Sequence, residues 1–261
     1  MKSTLKIAFI VTVFNLLLEY SLRGIADIQT IPLLPLALFL NYFPFFFVME
    51  ALVVKYRLRD YQLALASLVY GLIWMLFGPS VIYFPPLLFG LNWQRLIFVN
   101  FFWWVPIQTL LGFYIANRIS PRKTDGKPIS NRLIITFTII FIFATLIFRF
   151  AVVSFPFVPL GIFVLLVLIF LTYKVFLKSL AGFASQTRPE LRFAKDKFLD
   201  ILSVFIILYC IYSAVLFKQD SAQVYVTHLN PAALKLGVKV TTVVTIAMLI
   251  HRFRIKKSLP I

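Results

Sequence analysis

What this chain lacks narrows it first. Only 13% of its 261 residues are charged, with nine Asp and Glu in all, two histidines and one cysteine. An ordinary soluble domain is about 25% charged and about 45–50% apolar, so the chain has too few charges to cover a water-facing surface. The lone thiol, Cys210, excludes an intrachain disulfide and a Cys-based metal site. It sits in the apolar run Phe205-Ile-Ile-Leu-Tyr-Cys-Ile-Tyr, as a packing residue would. Neither His228 nor His251 has Cys, His or carboxylate neighbours at metal-ligand spacing, so no metal and no cofactor is expected. No phosphate-binding GxxxxGK[ST], HExxH, GxSxG or Gly-rich nucleotide fingerprint occurs. Asp125-Gly126-Lys127 reads as an ordinary turn, and ATP-driven work would need a separate subunit.

What the chain does have is apolar length. It is 61% hydrophobic with a mean hydropathy of +0.95. A bilayer core takes about 20 apolar residues as helix, and backbone groups in lipid must be satisfied within the segment. Eight runs qualify: Leu5–Leu22, Ile31–Val54, Leu63–Phe84, Leu96–Ala116, Leu133–Val153, Val158–Leu177, Phe198–Phe217 and Ala232–Ile250. The expected fold is an all-α transmembrane bundle forming a single domain over residues 1–261, ending in a basic tail over 251–261. Lys2 and Lys6 before an apolar stretch imitate a signal peptide. No small-residue cleavage site follows in Glu19-Tyr-Ser-Leu-Arg, so the first run reads as an uncleaved span; cleavage would leave seven spans.

The net charge of +17 is divided between short connections and does not form one basic face, which argues against nucleic acid. With the N-terminus inside, cytoplasmic segments hold 20 Lys and Arg and outer segments hold 6, namely Arg23, Arg95, Arg149, Lys218, Lys235 and Lys239. Every second connection is basic, as the positive-inside rule requires. Both termini are therefore expected in the cytoplasm, in a plasma (inner) membrane. The two sets of four spans share an orientation but no residue pattern. The inner segment 181–200 mixes Leu191, Phe193 and Phe198 with Arg192, Lys195 and Lys197. It suits a short interfacial helix on anionic lipid headgroups, with a partner subunit or a second copy of the chain as the other occupant.

Polar side chains in lipid are costly and usually face the bundle interior. Span one carries Thr12, Asn15, Glu19 and Arg23 on one helix face. Span four carries Asn100, Trp104 and Gln108 at four-residue spacing, with Trp103 beside them, and span five carries Thr138, Thr145 and Arg149. Three stripes imply three helices turned to a common interior. The plainer reading is interhelical hydrogen bonding and, for Arg149, snorkelling. Glu19 and Arg149 are both near outer helix ends, where they could pair. Glu50 precedes Lys55, Arg57 and Arg59; it is an interfacial ion pair or, if desolvated, a proton-coupling carboxylate. Lys235 and Lys239 read as headgroup contacts. Pro44 and Pro106 fall deep within spans two and four, where each frees a carbonyl. By contrast Gly161–Leu171 is almost pure Leu, Ile, Val and Phe and suits lipid contact. If there is a site, spans one to four supply most of it and span five closes it.

Three functions fit this pattern. The first is a small-solute or lipid transporter or permease component, with Asn15, Glu19, Arg23, Asn100, Trp103, Trp104, Gln108 and Arg149 lining a polar cavity. The second is a membrane enzyme acting on a lipid-linked substrate at the outer face, with Glu19 and Asp27 as acid or base and Arg23, Arg95 and Arg149 holding phosphate. The third is a non-catalytic scaffold or assembly partner.

Overall fold

The computed structural model describes residues 2–25, 28, 32–77, 81–121, 129–152, 158–181, 196–217 and 230–258, with residues 81, 148–152, 181 and 253–258 as backbone only. Eight long helices carry the described chain: α1 (Lys2–Arg23), α2 (Leu34–Tyr56), α3 (Asp60–Phe77), α4 (93–119), α5 (Asn131–Val152), α6 (Pro159–Ala181), α7 (Lys197–Leu216) and α8 (Pro231–Ser258). No β-strand occurs among the described residues; there is one isolated bridge, Leu88 with Leu91. Seven helices are long and apolar enough to cross a membrane, and α5 is apolar over its described side chains, Asn131–Ile147. These helices are compatible with an integral membrane protein.

The helix ends follow local chemistry. Asn92 caps α4 by accepting from Arg95 N–H at 3.1 Å, Asp196 caps α7 through Phe198 and Leu199 N–H, and Asn230 caps α8 through Ala232 and Ala233 N–H. Such caps satisfy amides that a helix start leaves without partners. Pro231 then fills the first turn of α8, where a missing N–H costs nothing. At the far end of α1, Gly24 takes a left-handed φ of 83° and closes the helix through its N–H to Tyr20 O. A Cβ there would lie 2.1 Å from Phe217 O, so both conformation and space require glycine.

One boundary departs from expectation. The third helix is described as far as Phe77 and not through Phe84, since Val81–Tyr83 form a 3-10 turn. The last helix runs on to Ser258, so its final turns carry most of the basic segment 251–261. Lys and Arg are good helix formers, their charge is favoured at a helix C-terminus, and no Pro intervenes before Pro260.

Hydrogen bonds between elements set the arrangement. Near the Arg23 end, Ser213 Oγ donates to Ser21 O, Ile25 N–H to Ala214 O, and Asn230 N–H to Leu22 O. The last carbonyls of α1 thus find donors on α7 and at the start of α8. At the opposite end, Asp60 of α3 meets Arg252 of α8, Asp200 of α7 meets Arg118 of α4, and Gln62 of α3 meets Ser179 of α6. The start of α1 and the finish of α8 therefore share one end of the bundle.

Helices α1 and α4 form its centre, with α2 and α7 against α1, α3 and α8 against α4, α5 against α2, and α6 against α3. The outer helices turn apolar rows outward: Ile135, Ile139, Phe143 and Ile147 on α5, and Leu160, Phe163, Val167 and Phe170 on α6. The Leu/Ile/Val/Phe run of α6 is indeed the most exposed of the candidate spans. Apolar surface of this extent marks a contact face for a membrane or for other protein.

A candidate polar site between α1, α2 and α4

The middle of α4 is π-helical over Val99–Leu111, with Gly112 N–H reaching back to Ile107 O. Such bonding is normally confined to single-turn bulges, and Pro106 sits inside this stretch. Proline has no N–H to give, which in this i→i−5 register withholds a donor from Phe101 O; the neighbouring carbonyl, Phe102 O, accepts from Thr245 Oγ1 of α8 at 3.2 Å. A second carbonyl of the stretch, Gln108 O, accepts from Asn15 Nδ2 of α1 at 3.2 Å. Side chains of two other helices therefore add hydrogen bonds to carbonyls of the π-helical stretch.

The α1 stripe faces inward as its spacing requires. Thr12 and Asn15 are fully buried, and Glu19 and Arg23 are enclosed nearer the helix end. Thr12 spends its hydroxyl on Ala8 O. Glu19 does more: Oε2 accepts from Arg23 Nε and Nη2 at 3.3 Å, and Oε1 accepts from Tyr42 Oη of α2. Tyr42 Oη in turn accepts from Gln108 Nε2 at 3.4 Å. The result is a continuous chain, Arg23–Glu19–Tyr42–Gln108, running from the end of α1 inward to the π-helical segment. Asn15 lies beside its inner end.

Further along α4, Asn100 Nδ2 donates to Leu96 O at 2.9 Å and lies 3.3 Å from Met75 Sδ. The Trp104 ring rests among Phe45, Trp74 and Tyr42, at centroid distances of 5.0, 5.4 and 6.3 Å. Ser67 of α3 and Thr109 of α4 share a hydrogen bond of 2.7 Å. Helix α5 closes the side behind α2: Asn41 Nδ2 donates to Thr145 Oγ1 at 3.3 Å, and Thr145 Oγ1 to Phe141 O.

Asn15, Glu19, Arg23, Asn100, Trp104 and Gln108 thus fall on one connected interior. Trp103 does not: it packs on the opposite side of α4 with Leu18, Leu22 and Tyr209. Two adjacent residues on a helix cannot face the same way. The Arg149 side chain lies outside the described residues, as do Asp27 and the inner segment 182–195. The partners given to Glu19 are Arg23 and Tyr42. Glu50 is fully buried on α2 and is engaged in interactions of its own. Cys210 is enclosed among the apolar side chains of α1, α4, α7 and α8.

Periodicity does not single out Tyr42. One clue is available in the sequence: it is a tyrosine amid five nearby phenylalanines, in a chain with 30 Phe and 11 Tyr, and a buried Tyr hydroxyl normally needs a partner.

The opposite end of the bundle is built differently, from ion pairs. Arg118 grips Asp200 with Nε at 2.7 Å and Nη2 at 2.8 Å, and Tyr114 Oη lies 2.7 Å from the same carboxylate. His251 stacks on Phe198 and lies 2.6 Å from Asp196 Oδ2, a carboxylate 55 residues away in the chain. Partial burial pushes the Asp196 carboxyl upward, but the hydrogen bond to His251 and the Leu199 and Phe198 amides outweigh it, so its pKa is lowered. Among the described residues no three His, Cys, Asp or Glu side chains gather as a metal site would need.

Comparison of the chain with protein families, curated proteins and solved structures finds no match in any of the three.

Proposed function

We propose that this chain is an eight-span integral membrane protein with both termini in the cytoplasm, working as a small-solute transporter or permease component. The observation that carries the reading is the polar chain Arg23–Glu19–Tyr42–Gln108, which leads from one end of the bundle to mid-depth between α1, α2 and α4. Polar groups at that depth are expensive, and this set meets a helix whose backbone is itself irregular at the same level. Irregular backbone at membrane depth is tolerated where it is buried in protein or lines a cavity. The division of 20 Lys and Arg to the Lys2 end against 6 to the Arg23 end supports the orientation. The reading as an acid–base enzyme is weaker, because both Glu19 oxygens are spent on Arg23 and Tyr42.

Single cysteines at Asn15, Asn100 and Gln108, in a Cys210→Ala background and in native membranes, test the reading. Small thiol reagents added outside should label them, and a transported solute should protect them. Cysteines shielded at all three positions under every condition would favour interhelical glue, and with it the scaffold. Reporter fusions after Asp125 and Ala184 should read as cytoplasmic and one after Gln223 as external; an external reading at Asp125 refutes the topology.

A further inference from the structure

Resting on the membrane reading above, we propose that the connection between α3 and α4 is an anchor in the outer leaflet, with its tip, Leu87, Leu88 and Phe89, seated among lipid acyl chains. The sequence has no charged residue from Tyr61 to Gln94, so nothing in this connection carries a charge that would hold it in water. Pro85, Pro86, Leu87, Leu88 and Phe89 follow one another without a polar side chain, and all are exposed. The tip is a tight two-residue turn: Leu88 and Leu91 exchange backbone hydrogen bonds of 2.9 and 3.2 Å across Phe89 and Gly90. Both central residues are left-handed, with φ 52° at Phe89 and 77° at Gly90. Such a turn favours Asn-Gly, and a bulky aromatic residue in its place is strained. Packing within the protein offsets little of that strain, because Phe89 is 62% exposed. Strain kept at an exposed residue points to a use for its side chain, and transfer of the ring from water to acyl chains supplies one.

The position of the tip along the bundle supports the same occupant. Gly90 lies directly on Gly161, in the first turn of α6: a Cβ on Gly90 would stand 2.4 Å from Gly161 N. Near the other end of α6, Ser179 O accepts from Gln62 Nε2, beside Arg59 and Lys178. The helix between Gly161 and Ser179 rises about 27 Å, which falls within the ~30 Å of a hydrocarbon core. The tip therefore stands at the outer edge of that layer and not in the water beyond it. Leu160 and Phe163, both exposed, flank Gly161 and continue the apolar surface from the tip along α6. Backbone polar groups at this depth need partners of their own. Pro85 and Pro86 bring no N–H, Phe84 O accepts from Asn92 Nδ2, and Leu88 O accepts a second bond from Trp93 Nε1 at 2.9 Å.

The test is the depth of nitroxides attached to Leu88→Cys and Phe89→Cys, each in a Cys210→Ala background, with the full chain in vesicles of phosphatidylcholine and phosphatidylglycerol. Collisions with oxygen, which concentrates among acyl chains, are compared with collisions with a water-soluble nickel chelate. Phe143→Cys, on the outward apolar row of α5, serves as the reference for lipid contact. At both tip positions the collision ratio should shift toward oxygen, as at Phe143, relative to the same label free in solution. A ratio at the tip that favours the chelate, with Phe143 in lipid, overturns the anchor and leaves the membrane reading standing. Labels at the tip hidden from both probes would mean that a second copy or another protein covers it, which also overturns the anchor. If the chelate predominates at Phe143 as well, the membrane reading itself falls and takes the anchor with it.

Discussion

Removing the Tyr42 hydroxyl is the sharpest perturbation of the interior. Tyr42→Phe keeps the ring beside Phe46 and Trp104 but leaves Glu19 Oε1 without its donor and Gln108 Nε2 without its acceptor. A hydrogen bond to a charged group is worth about 1.5–3 kcal/mol, while interhelical bonds between neutral groups in membranes average about 0.6 kcal/mol. The expected loss for Tyr42→Phe is therefore roughly 2–3.5 kcal/mol. Glu19→Gln should cost about 3–5 kcal/mol, because it strands Arg23, whose side chain is 11% exposed. The double variant should cost less than the sum by about 1.5–3 kcal/mol, the share carried by the Tyr42–Glu19 bond. Reversible unfolding in mixed detergent micelles, fitted to two states for the wild type and three variants, measures this coupling. Additivity within about 0.5 kcal/mol would refute the polar chain as a connected unit.

Two further substitutions probe the α8–α4 contact and the ion-paired end of the bundle. Thr245→Val should cost about 1 kcal/mol by removing the bond from α8 to Phe102 O; a stability unchanged by the substitution would show that Thr245 does not support the α4 backbone. At the opposite end, the lowered pKa of Asp196 means a contribution fully present above the unfolded value of about 3.9 and lost as pH falls through the lower folded value. The melting-temperature gap between wild type and Asp196→Asn should narrow below about pH 4, and a gap unchanged between about pH 6 and pH 3 would remove the carboxylate from the stability of that end.

The sequence by itself determined what depends on solvent and on local geometry. Eight apolar runs become eight helices because helix satisfies its own backbone wherever water is scarce. The stripe Thr12, Asn15, Glu19, Arg23 points inward because polar groups find hydrogen-bond partners in the bundle interior and none on its apolar outer rows. Asn100, Trp104 and Gln108 were legible for the same reason, and so was the outward face of α6. Only the tertiary structure decided which partner each group takes. Glu19 has both oxygens on Arg23 and on Tyr42, a residue with no mark in the periodic pattern. Trp103 and Trp104, adjacent in the chain, divide between two different cores. The π-helical course of α4 runs where two distant side chains meet its carbonyls. Thr245 is 143 residues from Phe102, and Asn15 is 93 residues from Gln108. Local hydropathy is a property of one segment; hydrogen-bond partnership is settled by whichever donor the fold brings within reach.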